Sequence, residues 1–112
     1  MRYLVTAKRM ESGPMVPPQQ AAMIIRTAVL PTLEALAKME SEGKIRGGVV
    51  AGARDAAYVL EADSHDEATQ ILMGLPAWAF SQLELTPLQS FETRVEQTRQ
   101  VLERLEAAAQ QA

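Results

Sequence analysis

Over residues 2–9 the side chains alternate. Tyr3, Val5 and Ala7 share one face of a strand, and Leu4 and Thr6 share the other. Both faces are partly apolar, which predicts a central strand covered on both sides. The segment from Glu11 to Pro18 holds three prolines and a glycine and reads as a loop, with Pro18 placed to open a helix. The period then changes to steps of three and four. Ala22, Ile25, Val29, Leu33, Leu36 and Met39 lie on one stripe of a helix spanning residues 19–42. Pro31 lacks an N–H, and its ring meets the carbonyl four residues back, so a kink near Ala28 is predicted. Glu42-Gly43-Lys44 ends the helix, with Gly43 able to take the left-handed cap conformation.

Residues 45–53 read as a second strand interrupted by Gly47, Gly48 and Gly52. Glycine inside a strand marks a bulge or the close approach of another backbone. A tight link at residues 53–56 leads to a third strand, 57–63, with Tyr58, Leu60 and Ala62 on one face and Val59 and Glu61 on the other. Ser64-His65-Asp66-Glu67 is a capping box: Ser64 accepts from the Glu67 amide and Glu67 reaches back. The helix it starts carries Ala68, Ile71, Leu72 and Leu75, and ends at Gly74 and Pro76. Residues 80–85 form a fourth strand, with Leu83 and Leu85 on one face and Phe80, Gln82 and Glu84 on the other. Thr86-Pro87 reads as a second helix start. The last helix, about 87–109, has a narrow stripe of Leu88, Phe91, Val95, Thr98, Leu102 and Leu105 with charges around it. That stripe packs on its own sheet or on a partner chain.

The order β-α-β-β-α-β followed by a helix is that of an α+β ferredoxin-like sandwich, one domain over residues 1–112. Its helices cover one face of the sheet. Both faces of the strands carry apolar residues, with Thr6, Arg46, Glu61, Gln82 and Glu84 scattered among them, so the residues do not assign the second face strand by strand; the mixture points to a second copy closing face to face around a partly polar interior.

Composition narrows the chemistry. The chain has no cysteine, which removes disulfides, thiolate nucleophiles and thiolate metal sites. It has a single histidine, His65, so a multi-histidine metal site cannot form within one chain. A net charge of −3 argues against nucleic acid. No phosphate loop, nucleotide fingerprint or nucleophile–base spacing is present. The start carries no apolar run of signal-peptide length, and no run approaches the ~20 apolar residues of a membrane span. A cytoplasmic protein without metal or cofactor is expected.

Glu42-Gly43-Lys44 followed by a strand with Arg46, then Asp63-Ser64, Glu67 and Leu75-Pro76, resembles the muconolactone isomerase family over roughly residues 3–91. The resemblance implies a dimeric α+β barrel, in which two ferredoxin-like sheets close on each other. It also implies a cofactor-independent proton shift in a small unsaturated lactone or acid. The family's second strand is rich in His, Trp and Arg. Here Gly47, Gly48, Val49 and Val50 stand in those places, so the fold carries over and the family's catalytic residues do not.

An isomerisation needs a base to lift a carbon-bound proton and an acid to return it. Glu61 and Glu84 are the candidate shuttles, because a carboxylate turned into a dry barrel has its pKa raised by desolvation. The rival reading for each is a solvated or arginine-paired carboxylate. Arg46 is a candidate clamp for a substrate carboxylate, or the ion-pair partner of Glu61 or Glu84. Tyr3 and Tyr58 are candidate hydrogen-bond donors to a ligand, and Trp78 lines a pocket mouth or an interface. His65, in the first turn of a helix, reads as a neutral surface residue. Met10, Met15, Met23, Met39 and Met73 read as fillers of core gaps. Two functions follow. One is a cofactor-independent isomerase, or a related small oxygenase, acting on a small hydrophobic or unsaturated acid or lactone. The other is a non-catalytic oligomeric module, a homodimer or larger, that binds a small molecule or a protein.

Overall fold

A computed structural model describes residues 1–9 and 16–111. Met10, Met15 and most of the expected proline-rich loop lie outside the described residues. The elements run β1 (Arg2–Arg9), α1 (Pro18–Ile24), a π-helical segment (Ile25–Val29), α2 (Leu30–Ser41), β2 (Ile45–Val49), β3 (Ala56–Glu61), α3 (His65–Met73), a 3-10 turn (Trp78–Phe80), β4 (Ser81–Leu88) and α4 (Phe91–Gln110). The four strands form one antiparallel sheet in the order β2-β3-β1-β4. This is the ferredoxin-like arrangement.

Register fixes the faces. Tyr3 stands opposite Leu60 and Val5 opposite Tyr58. All four turn toward α2 and α3 and are buried with Ile45, Ala62, Ala68 and Leu72. Leu4 and Thr6 turn the other way, opposite Val59 and Ala57. Within one chain the sheet is therefore covered on one side only: Tyr3 and Val5 are 0% exposed, whereas Leu4 is 37% exposed. The open face carries Arg2, Leu4, Thr6, Arg46, Val59, Glu61, Glu84 and Leu88, by their register with one another.

The helix ends follow from local chemistry. Gly43 takes φ +79 and closes α2 in a Schellman motif: its N–H reaches the Glu40 carbonyl, and the Lys44 N–H reaches that of Met39. The Pro31 kink takes the form of a π segment. Leu30 N–H donates to the Ile25 carbonyl five residues back, and the widened turn accommodates the proline ring. Ser64 caps α3 by accepting from the Glu67 amide at 3.1 Å. Glu67 reaches back to the Asp63 amide at 2.9 Å, one residue beyond the reciprocal bond of a capping box. Ser64→Ala is expected to cost about 1 kcal/mol and to lower the melting temperature by roughly 4–8 °C, read by circular dichroism.

Several boundaries differ from expectation, the third strand running Ala56–Glu61 where 57–63 was expected. The second strand stops at Val49, because a turn with Gly52 at φ +75 begins immediately after it. Phe80 belongs to the 3-10 turn and precedes β4. Thr86-Pro87 does not start the last helix: β4 continues to Leu88, and Ser90 caps α4 by accepting from the Thr93 amide. An edge strand tolerates a proline that a central strand would not. From there α4 leaves the body. The molecule measures 72 × 33 × 25 Å with a radius of gyration of 20.0 Å, against about 13 Å for a compact chain of similar length. None of the residues of α4 is buried. Among the described residues, no helix is long and apolar enough to cross a membrane.

Candidate functional site

Between α2 and the β2–β3 edge lies a half-open cavity of about 200 Å³. Leu33, Leu36 and Ala37 from α2 face Ile45, Val49 and Ala56 from the strands across it. A glycine at position 47 is required here. Gly47 has φ +153 and pairs with Tyr58, and a Cβ placed on it would collide with the Ala57 carbonyl oxygen and the Tyr58 backbone. Close approach of another backbone is what a glycine in this strand led us to expect. It also leaves no side chain at this point of the cavity wall.

Two polar side chains border the apolar walls, Tyr58 and Glu40. Tyr58 is only 4% exposed, and its hydroxyl makes no hydrogen bond among the described residues. No sealed side-chain oxygen or nitrogen lacks a partner there, so the Tyr58 hydroxyl remains reachable. Burial pushes its pKa up from 10.0 to about 12. The phenol is therefore neutral across the physiological range and serves as a hydrogen-bond donor rather than a base. Glu40, in the last turn of α2, is exposed at the rim.

The six residues singled out from the sequence are divided among three places. Glu61, Glu84 and Arg46 lie on the open face. Glu61 accepts from Arg2 Nε at 3.4 Å, with both side chains more than half exposed. Arg46 and Glu84 occupy opposite edge strands, three strand spacings or about 14 Å apart, so one chain does not bring them together. Tyr3 and Tyr58 lie on the covered face. Tyr3 is fully buried, and its hydroxyl is 2.7 Å from His65 Nδ1, with the two rings edge to face. His65 is exposed, and here it has a structural partner. Trp78, 43% exposed, sits in the 3-10 turn and does not line the cavity. Of the six, only Tyr58 reaches the cavity. Sequence reasoning missed Glu40 and the Leu33–Leu36 wall. The available signal was the face shared by residues 33, 36, 37 and 40 of one helix, running past the point where the glycine strand begins.

No family model matches the chain, and no curated protein matches it. Among solved structures it is similar to muconolactone isomerase, with a TM-score of 0.63 and 21% identity, over 80% of this chain and 90% of that one. The likeness is one of fold: a four-stranded antiparallel sheet with its helices on one face.

Proposed function

We propose that the chain is a muconolactone isomerase-like protein that binds a small unsaturated lactone or acid in the α2–β2–β3 cavity and shifts a proton within it, without metal or cofactor. The observation that carries this reading is the cavity itself, where a buried neutral phenol and a carboxylate border one apolar volume. About 200 Å³ suits a ligand of one small ring, since a 150 Å³ apolar cavity accepts benzene. The Tyr58 O–H donates to the ligand carbonyl oxygen. That bond strengthens as negative charge develops on the oxygen when the adjacent carbon loses its proton. Glu40 takes that proton and returns it to the carbon two bonds further along, so the double bond moves and nothing is gained or lost.

The open face supports a homodimer. Leu4 and Leu88 are exposed there, and Arg46, Glu61 and Glu84 lie among them. Face-to-face closure of two copies buries the apolar residues and sets arginine and carboxylates into a shared interior, where they pair. Leu4→Lys is expected to lower the mass seen by light scattering if this face is the contact.

A second reading, binding without turnover, is favoured by the exposure of Glu40 and by the solvated Glu61–Arg2 pair. Thermal shift against small lactones and unsaturated acids finds a ligand. Proton NMR in D2O then separates the readings. Turnover exchanges the ligand's acidic C–H, and Glu40→Gln is expected to slow that exchange at least a hundredfold while leaving binding in place. Tyr58→Phe is expected to weaken both. Binding with no exchange in the unmodified protein would leave only the second reading.

A further inference from the structure

The 20-residue helix α4 is the largest feature that the cavity and the sheet do not use. One stripe of the helix recurs at steps of four and three, the apolar Phe91, Val95, Leu102 and Leu105 with Thr98 among them. Phe91 is 91% exposed, and Val95, Leu102 and Leu105 are each at least half exposed. No residue of α4 is buried among the described residues, and such a stripe has the pattern of a helix-pair seam. The charges beside it decide the geometry. Glu92, Arg99 and Glu106 flank one side of the seam; Arg94, Val101 and Ala108 flank the other. A parallel pair would set Arg94 against Arg99 of the other helix, twice. An antiparallel pair with Val95 opposite Leu105 would set Arg99 against Arg99 and Glu92 against Glu106. An antiparallel pair with Leu102 opposite Leu105 leaves Phe91 uncovered.

One register avoids every like-charge contact and covers Phe91, the most exposed residue of the stripe, leaving only Leu105 beyond the second helix's first turn. We propose that α4 docks antiparallel on α4 of a second copy, with Phe91 opposite the second copy's Leu102 and Glu92 opposite its Arg99. Val95 then meets Thr98, and Leu105 reaches the level of Leu88, where the stripe enters β4. By two-fold symmetry each contact occurs twice. The present Arg99–Glu96 pair spans 3.9 Å with both side chains at least 65% exposed, so it holds Arg99 weakly and leaves it able to change partner.

Sedimentation velocity on the full-length chain tests this, in the unmodified background and with Leu4→Lys so that any sheet contact is read separately. Leu102→Asp is expected to abolish the α4-dependent association. Arg99→Glu, which replaces two attractions with two repulsions, is expected to weaken it on the order of tenfold. The exchange E92R with R99E restores the opposition of charges and is expected to recover the association. A parallel pair would respond to Arg99→Glu in the opposite direction, by tightening, because the Arg94–Arg99 repulsion disappears. Tightening, indifference to both Leu102→Asp and Arg99→Glu, or a chain that stays monomeric with Leu4→Lys would each overturn the proposal. Far-UV circular dichroism confirms that α4 stays helical, and the charge exchange keeps the test valid where Leu102→Asp frays the helix.

Discussion

Gly47→Ala is expected to cost the protein roughly 3 kcal/mol or more and to open the β2–β3 edge. Two penalties act at one residue. At φ +153 an alanine sits in a backbone conformation that side-chain-bearing residues rarely adopt. Its Cβ would also collide with the Ala57 carbonyl oxygen and lie 2.5 Å from Tyr58 Cα. Both are backbone atoms of the paired strand, so no rotamer change relieves the clash. The strand must withdraw, breaking the pairings of Gly47 with Tyr58 and Gly48 with Ala57. Against a total stability of about 5–15 kcal/mol for a domain, that loss is large. Gly48→Ala is the control. Nothing lies within 4 Å of its Cβ, and its effect is expected to stay within about 0.5 kcal/mol. Urea denaturation followed by circular dichroism compares the midpoints. Equal midpoints for Gly47→Ala and the unmodified protein would show that β2 moves freely at this point, and the cavity wall would lose its explanation.

The particular residues explain how far the sequence could be read. The order of elements was legible because each boundary has a local cause: Gly43 for the Schellman cap, Ser64 for α3, Pro31 for the widened turn. The grouping of side chains by strand face was legible from strict alternation, as in Tyr58 and Leu60 against Val59 and Glu61, whereas the pairing register came only with the sheet. The end of β4 was not, because Pro87 carries the same local signal at a helix start as on an edge strand, and only the position of β4 in the sheet separates them. How the far face of β1 is covered was not legible for a related reason: within one chain it is open, and only a second copy would close it. Leu4 is apolar, but whether an apolar residue on a sheet face is covered depends on what lies opposite it in space. The site was the least legible part. Polar residues on strands drew attention to Glu61, Glu84 and Arg46, and their strands set all three on the open face, where Glu61 meets Arg2 and which a second copy would have to enclose. Gly47 lines the cavity, and its role there is the close approach of its backbone to Tyr58, which leaves no room for a Cβ. The cavity's polar members come from a helix and a strand brought together by packing, a relation that no spacing along the chain encodes.

Alkaline pH is expected to destabilise the protein through Tyr58. Its folded pKa is about 12, raised by burial from 10.0. Below pH 10 the phenol is neutral in both folded and unfolded chains, and its contribution to stability is fully present. Between pH 10 and 12 the unfolded chain releases the proton while the folded chain retains it. The unfolded state then binds fewer protons, and stability falls as pH rises. The shift of about two units corresponds to roughly 2–3 kcal/mol lost once pH exceeds 12. The difference between the unmodified protein and Tyr58→Phe isolates the effect. At pH 7 that substitution removes a hydroxyl with no hydrogen-bond partner among the described residues, so it is expected to leave stability within about 1 kcal/mol. From pH 10 upward the variant is expected to lose less stability than the unmodified protein, and the two denaturation curves separate. Phenolate absorbance should show one tyrosine titrating near pH 12, absent from Tyr58→Phe. Parallel stability curves across the alkaline range would mean that the hydroxyl is open to water. A ligand carbonyl accepting from Tyr58 would then gain only what a surface phenol offers, and the case for proton-shift chemistry in this cavity would fall with it.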